Sequence, residues 1–355
     1  MVKIWQGTIE LNLKLFKFHS LNFKNTNFKK FKSDLTMKNI LFDLKLTQES
    51  GQTSQPPWQE IANCVNGYCD VMTLDNTPIL LKVYQKSINE LNIDYELPIS
   101  NKSLEINKKL IEKEITRIYD LNFDLNKLYN HMAEDSKLSP AIDFCKGLRL
   151  FLAKDPFECI ISSISSANNS IARWTKSITK IRQKWGEDVK FSSGTFYTFP
   201  SPSVLMNIYE DNFEEYEACN RTIETEYCIN NLKSCGVGYR APYMMKTSEL
   251  FEFEMDLFEI PKMSYEEAFD LILNLPGVGP KVADCILLYG FGFKEAFPSD
   301  VWIKRIISHL YFNGEDISVP KVREFGMEKF GDYAGYVQLY LFHYARKSGL
   351  MKKLK

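Results

Sequence analysis

Between residues 39 and 98, apolar and polar positions alternate in patches, the period of a half-buried strand. Four strands are predicted, over 41–47, 69–73, 79–84 and 90–95, with turns at Asn66-Gly67 and Asp75-Asn76. The period then lengthens. A helix is predicted over 104–132, interrupted near Asn122-Phe123-Asp124, and from Pro140 onward nearly every segment reads as helix. The predicted helices cover 140–152, 157–165, 169–185, 202–208, 213–220, 221–233, 240–250, 264–274, 281–289, 301–310, 319–330 and 333–346. No repeat or low-complexity segment interrupts them. Strands first and helices afterwards predict an α+β chain. Its expected parts are a small N-terminal antiparallel-sheet domain with a helix, over 37–134, and a large all-α domain over 135–355.

Residues 1–36 stand apart from this pattern. They hold seven lysines, two acids and five phenylalanines, and Met37-Lys38-Asn39-Ile40 reads as an ordinary start. A poorly ordered extension or an over-called start is expected there, with a basic arm touching DNA as the alternative. The 355 residues suffice for two or three compact units, and 45% hydrophobic with 25% charged residues describes an ordinary globular chain. A net charge of −1 excludes a molecule that attracts nucleic acid as a whole. From Leu271 to the end, however, 12 Lys/Arg face 8 Asp/Glu, so a locally basic face remains compatible with DNA.

The eight cysteines form no Cys-x-x-Cys pair and no His/Cys cluster, so no metal is expected. Unpaired thiols point to a reducing, intracellular compartment. No apolar run has transmembrane length and no signal-peptide pattern opens the chain, so no membrane partner is expected.

The strongest chemical signal is Leu275-Pro276-Gly277-Val278-Gly279-Pro280-Lys281, followed by Pro298-Ser299-Asp300. Pro276-Gly277 stops one helix. Gly279 is expected to take positive φ and to allow close backbone approach. Pro280 suits the first turn of the next helix. The free N–H groups of such a hairpin, at Gly277, Val278 and Gly279, form a cradle for a phosphate and position DNA without reading its sequence. A plain αα-hairpin is the simpler alternative, and Gly-Val-Gly alone does not exclude it. Lys281 and Asp300 change that balance.

An ordinary lysine has a pKa of about 10.4, so under roughly one part in a thousand is neutral at pH 7. Burial and the positive helix end are expected to lower the Lys281 value. A neutral amine can attack a sugar C1′ and form a Schiff base. Asp300 reads as the N-cap of the next helix, which would hold an ionised carboxylate rigidly beside developing positive charge.

These motifs resemble the helix–hairpin–helix glycosylases, and within them the 8-oxoguanine DNA glycosylase/AP lyases, from about Ile142 to Arg346. The absence of cysteine from the last seventy residues separates the chain from the iron–sulfur branch of that fold. The resemblance implies a TBP-like N-terminal sheet, base excision by a monomer on double-stranded DNA containing a damaged base, and no cofactor. It implies Lys281 as nucleophile and Asp300 as its catalytic partner. Asn168 would fill the gap left by a flipped base, Arg173 and Arg240 would hydrogen-bond the orphaned cytosine, and Tyr239 would wedge beside it. Cys285 and Phe342 would enclose the base, Gln338 would read its Watson–Crick edge, and the Gly51 carbonyl would detect the N7 proton of 8-oxoguanine.

Each of these residues also has a plainer role: a helix cap for Asn168, surface ion pairs for the arginines, core packing for Phe342, a turn for Gly51. Two departures from the family pattern stand out. Gly51-Gln52 continues as Thr53-Ser54-Gln55 where the family usually has Phe-Arg-Trp, and Trp302 stands where a phosphate-contacting histidine is usual. A glycosylase for another damaged purine and a non-catalytic DNA-damage binding protein remain as rival readings.

Overall fold

The computed structural model describes residues 35–101, 106–208 and 231–350. The predicted helix over 213–220 and nearly all of that over 221–233 lie outside the described residues, as do residues 1–34 of the expected extension.

Five strands form one antiparallel sheet in the order β1-β5-β4-β3-β2, namely β1 Leu35–Lys38, β2 Gln59–Glu60, β3 Gly67–Leu74, β4 Thr77–Ser87 and β5 Glu90–Glu96. The β3–β4 turn is Asp75-Asn76, both at positive φ (46° and 60°), as a two-residue hairpin with the native strand twist requires. Alternation in β4 feeds two cores. Ile79, Leu81 and Val83 pack with Ile111, Ile115 and Ile118 of α2 (Lys108–Ile118), while Leu80 points the other way, toward Val189, Phe191 and Phe196.

Those last three residues belong to a hairpin that the sequence reading missed, β6 (Asp188–Phe191) and β7 (Gly194–Tyr197), turned at Ser192-Ser193. Its signal was present in the alternation of Val189 and Phe191 ahead of Ser-Ser-Gly.

Three other expectations are corrected. The strand predicted over 41–47 is instead a short helix, α1 (Leu44–Gln48), because Asp43 caps it by accepting from the Leu46 amide (2.8 Å) and buries Leu44, Thr47 and Gln48 at helical spacing. The boundary expected after residue 36 falls inside β1, whose Leu35 pairs with Ile93 and Lys38 with Glu90. The helix predicted over 140–152 stops at Phe144; Gly147, at φ +86°, turns the chain into an irregular run beside the Gly51–Gln55 loop.

The remaining α-helices among the described residues are α3 (Leu125–Ala133), α4 (Ser139–Phe144), α5 (Pro156–Ser166), α6 (Ile171–Trp185), α7 (Pro202–Met206), α8 (Ala241–Phe253), α9 (Tyr265–Leu273), α10 (Pro280–Ile286), α11 (Val301–Tyr311), α12 (Val319–Phe330) and α13 (Ala334–Ser348). They enclose the largest apolar core, centred on α5, α10 and α13. A buried ionic cluster ties the sheet to this body. Arg182 of α6 donates to Asp70 of β3 (2.9 Å) and Glu158 of α5 (2.7 Å), and Lys154 lies 3.2 Å from Asp70. Burial alone would raise the Asp70 carboxyl; the two cations outweigh it and hold it below the usual carboxylate range. Among the described residues, no helix is long and apolar enough to cross a membrane.

Candidate active site

The hairpin joins α9 to α10. Ser264 and Glu267 form a reciprocal capping box at the start of α9, and the Leu275 and Val278 amides close its far end (3.1 Å each). The glycine roles differ from expectation. Gly277 carries the positive φ (+75°), and a Cβ there would collide with the Tyr243 ring. Gly279 is extended (φ −102°, ψ 176°), and a Cβ there would meet only open space. Gly277 therefore makes the turn, while Gly279 presents bare backbone at the mouth of α10. Val278 is buried and anchors the loop.

Lys281 lies in the first turn of α10, one turn ahead of Cys285. Cys285 is buried, and burial pushes its thiol up. The expectation of a depressed lysine is corrected. Burial does push the Lys281 ammonium down, but Cys285, Asp300 and Asp284 together outweigh it and hold the lysine above its ordinary value. Lys281 is thus an ammonium at rest.

Asp300 caps α11, its Oδ1 accepting from the Trp302 and Ile303 amides at 2.9 Å each. These bonds fix the carboxylate in the electrostatic neighbourhood of Lys281. The adjoining Val301 and Trp302 side chains are exposed.

Asp284, a residue the sequence reading did not single out, lies fully enclosed on the same helix, three positions after Lys281. Arg323 of α12 grips it through Nε (2.7 Å) and Nη2 (3.1 Å), and the Tyr265 hydroxyl donates to it. Burial raises the Asp284 carboxyl, and Arg323, Tyr265 and Lys281 only partly offset that. The i, i+3 spacing from Lys281 was the available signal.

α13 supplies one wall. Gly335 lets it approach the 294–296 segment, its amide donating to Lys294 O at 2.7 Å, since a Cβ there would meet Leu288 and two backbone oxygens. Gln338, one turn on, donates Nε2 to Pro298 O (3.0 Å), while its Oε1 is buried without a partner. Phe342 is half-buried another turn along, and the Arg346 guanidinium lies 5.5 Å from its ring centroid. Gly51 faces this stripe at φ +86°, where a Cβ would collide with Arg346 Nη1 and with Ile171 of α6. The loop after it is sewn into the body. Gln52 bonds Arg149 O (3.0 Å) and the Phe151 amide (2.8 Å), and Thr53 bonds Ser163 (3.2 Å). The Thr-Ser-Gln departure is thus buried, with Thr53 and Gln55 hydrogen-bonded into the body.

The second group lies around the α5–α6 corner. Asn168 is exposed at φ +48°, a conformation that asparagine tolerates better than most residues. Arg240 is buried and holds that corner, donating Nε to Ala167 O (2.9 Å), Nη2 to Ala167 O and to Asn168 O (3.3 Å), and Nη1 to Val237 O (3.2 Å). Its guanidinium lies 4.4 Å from the Tyr239 ring centroid, and Tyr239, 59% exposed, packs edge-on to Tyr243 above Gly277. Arg173 stands exposed in the first turn of α6. Asn168, Arg240, Tyr239 and the hairpin are therefore contiguous, and Ile171 joins them to Gly51.

Comparisons with known proteins cover most of the chain. Residues 34–160 match the model of the 8-oxoguanine DNA glycosylase N-terminal domain, and residues 161–331 that of the HhH-GPD superfamily base excision DNA repair protein. A probable N-glycosylase/DNA lyase of Methanothermobacter thermautotrophicus is 46% identical over 314 residues, 88% of this chain and 96% of that protein. A structure of MBOgg1 with a low-affinity DNA ligand superposes with a TM-score of 0.73 at 29% identity, covering 90% of this chain and 98% of the other. The 8-oxoguanine glycosylase/lyase of Clostridium acetobutylicum, bound to double-stranded DNA with cytosine opposite 8-oxoguanine, gives 0.70 at 28% identity, covering 90% and 100%.

Proposed function

The chain belongs to the 8-oxoguanine DNA glycosylase/lyase family of the HhH-GPD superfamily, and from that premise we propose that it flips 8-oxoguanine out of a duplex, opposite cytosine, and excises it with Lys281. The observation that carries this reading is the Lys281 amine, sheltered against Cys285 and within the field of Asp300.

The hairpin backbone at Gly277, Val278 and Gly279 would hold a phosphate, with Gly279 open for close approach. Asn168 would enter the vacated stack and Tyr239 would wedge beside it, with Arg173 free to reach the orphaned cytosine. Arg240, engaged with three backbone carbonyls, supports the Asn168 corner and would offer cytosine only its remaining donors. The flipped base would lie between Cys285 and Phe342, with the unpartnered Gln338 Oε1 against its Watson–Crick edge.

Because Lys281 rests as an ammonium, it must lose a proton before attack. The neutral amine then bonds to C1′ as the N-glycosidic bond breaks, and the base leaves with its bonding electrons and takes up a proton. Asp300, held rigid by its two cap bonds, stabilises positive charge developing on the sugar. Opening of the sugar ring gives the Schiff base; loss of a proton from C2′ then expels the 3′ phosphate as the C3′–O bond breaks.

Borohydride trapping on an 8-oxoguanine:cytosine duplex tests the reading. Wild type is expected to yield a covalent adduct and Lys281→Gln none. An adduct with the variant would move the nucleophile elsewhere, and binding without any adduct from wild type would favour a non-catalytic damage binder. Cleavage rates opposite C, A, G and T test the cytosine preference.

A further inference from the structure

Arg346 is a cation that the chemistry above does not use. It extends the Gln338–Phe342 stripe of α13 by one more turn, so its guanidinium lies by Phe342 and against Gly51. One donor is engaged, Nη2 to Glu49 O at 3.0 Å. Nε is buried without a partner, and among the described residues no carboxylate pairs with the group. Burial lowers its affinity for a proton below the arginine norm, the mark of a charge held without neutralisation. A guanidinium has five N–H donors, and a buried donor left unmade is costly, so such an arrangement favours an acceptor arriving from outside.

We propose that Arg346 is a specificity-determining residue that donates to an exocyclic oxygen of the flipped, oxidised purine. This rests on the reading of the pocket between Cys285 and Phe342. If the Gly51 carbonyl meets the N7 proton, a donor packed against Gly51 addresses the atoms flanking N7, which in 8-oxoguanine are O6 and O8. The pair forms an acceptor beside a donor, complementary to a carbonyl beside an N–H. As the glycosidic bond breaks, the departing base gains negative charge that its carbonyl oxygens share. A fixed cationic donor there stabilises the transition state more than the bound substrate. Any side chain at residue 51 would displace the guanidinium, so Gly51 serves both halves of the pair.

The test compares wild type with Arg346→Met, which keeps the apolar stem over Phe342 and removes the donors, and with Arg346→Lys, which keeps the charge and loses the fork. Single-turnover excision from an 8-oxoguanine:cytosine duplex is measured beside strand cleavage of a preformed abasic duplex, which has no base to contact. Arg346→Met is expected to slow excision about 10- to 100-fold, the scale of one charge-assisted hydrogen bond in a transition state. Abasic cleavage and melting temperature should stay unchanged, with Arg346→Lys intermediate in excision. Equal losses on both duplexes would mean a backbone or structural role and overturn the proposal, as would undiminished excision. Wild type that leaves 8-oxoguanine intact would sink the pocket reading together with this one; active wild type with an indifferent Arg346→Met would sink this one alone.

Discussion

Replacing Arg323 by methionine strands a carboxylate beside the proposed nucleophile. Asp284 is fully enclosed, and its charge is balanced through Arg323 Nε at 2.7 Å and Nη2 at 3.1 Å, with the Tyr265 hydroxyl also donating to it. Removing one partner of a buried pair costs about 3–5 kcal/mol, because the other charge stays behind. The Arg323 side chain is 21% exposed, so water can enter as it leaves, and the lower end, about 3 kcal/mol, is expected. That loss should lower the melting temperature by roughly 4 °C.

The pH dependence has a definite sign. The Asp284 carboxyl is already raised in the folded state, and losing Arg323 raises it further. A raised group stabilises the folded state most below its unfolded value and loses that contribution as pH rises through its folded value. The variant should therefore be less impaired at pH 5 than at pH 8. Asp284→Asn combined with Arg323→Met leaves no stranded charge and should melt higher than Arg323→Met alone. Melting curves of the three variants at both pH values are the assay. A penalty at pH 8 under about 1 kcal/mol, or a double variant no better than the single, would refute the reasoning.

The two hairpin glycines should respond oppositely. Gly277→Ala meets both positive φ and the Tyr243 ring, and should lose about 1–3 kcal/mol of stability. Gly279→Ala fits its backbone and should leave the melting temperature unchanged while weakening duplex binding, which a titration at fixed salt will read. The raised Lys281 value makes the neutral amine scarcer at pH 7 than in free lysine, and scarcity ends only as pH climbs through that value. Single-turnover excision should therefore rise about tenfold per pH unit from 6 to 9; a plateau near pH 7 would show a depressed lysine instead.

Much of the frame was legible along the chain. Local signals sufficed where one residue dictates the backbone: Ser318 and Pro320 start α12 at 319, and Asp75-Asn76 turns β3 into β4. Binary pattern alone placed the strands from 69 to 95, because their side chains alternate between two apolar cores. The stretch 41–47 alternates equally well and yet is helical near its end, since the Asp43 cap and burial against the body outweigh a two-residue period. Motif spacing brought Lys281 and Asp300 forward as a pair, because a helix start fixes the first and a cap fixes the second, and the family resemblance added Cys285.

What only the tertiary structure decided are the quantities that depend on neighbours distant in sequence. Asp284, Asp300 and Cys285 converge on one amine and reverse the direction that burial by itself would give it. Arg240 turns inward to carbonyls more than seventy positions away. Arg346 meets Gly51 across nearly the whole length of the chain. Secondary structure and capping are set by interactions within a few residues and so can be read from a string. Electrostatic balance and pocket shape are sums over everything that folding brings near, and no string displays that sum.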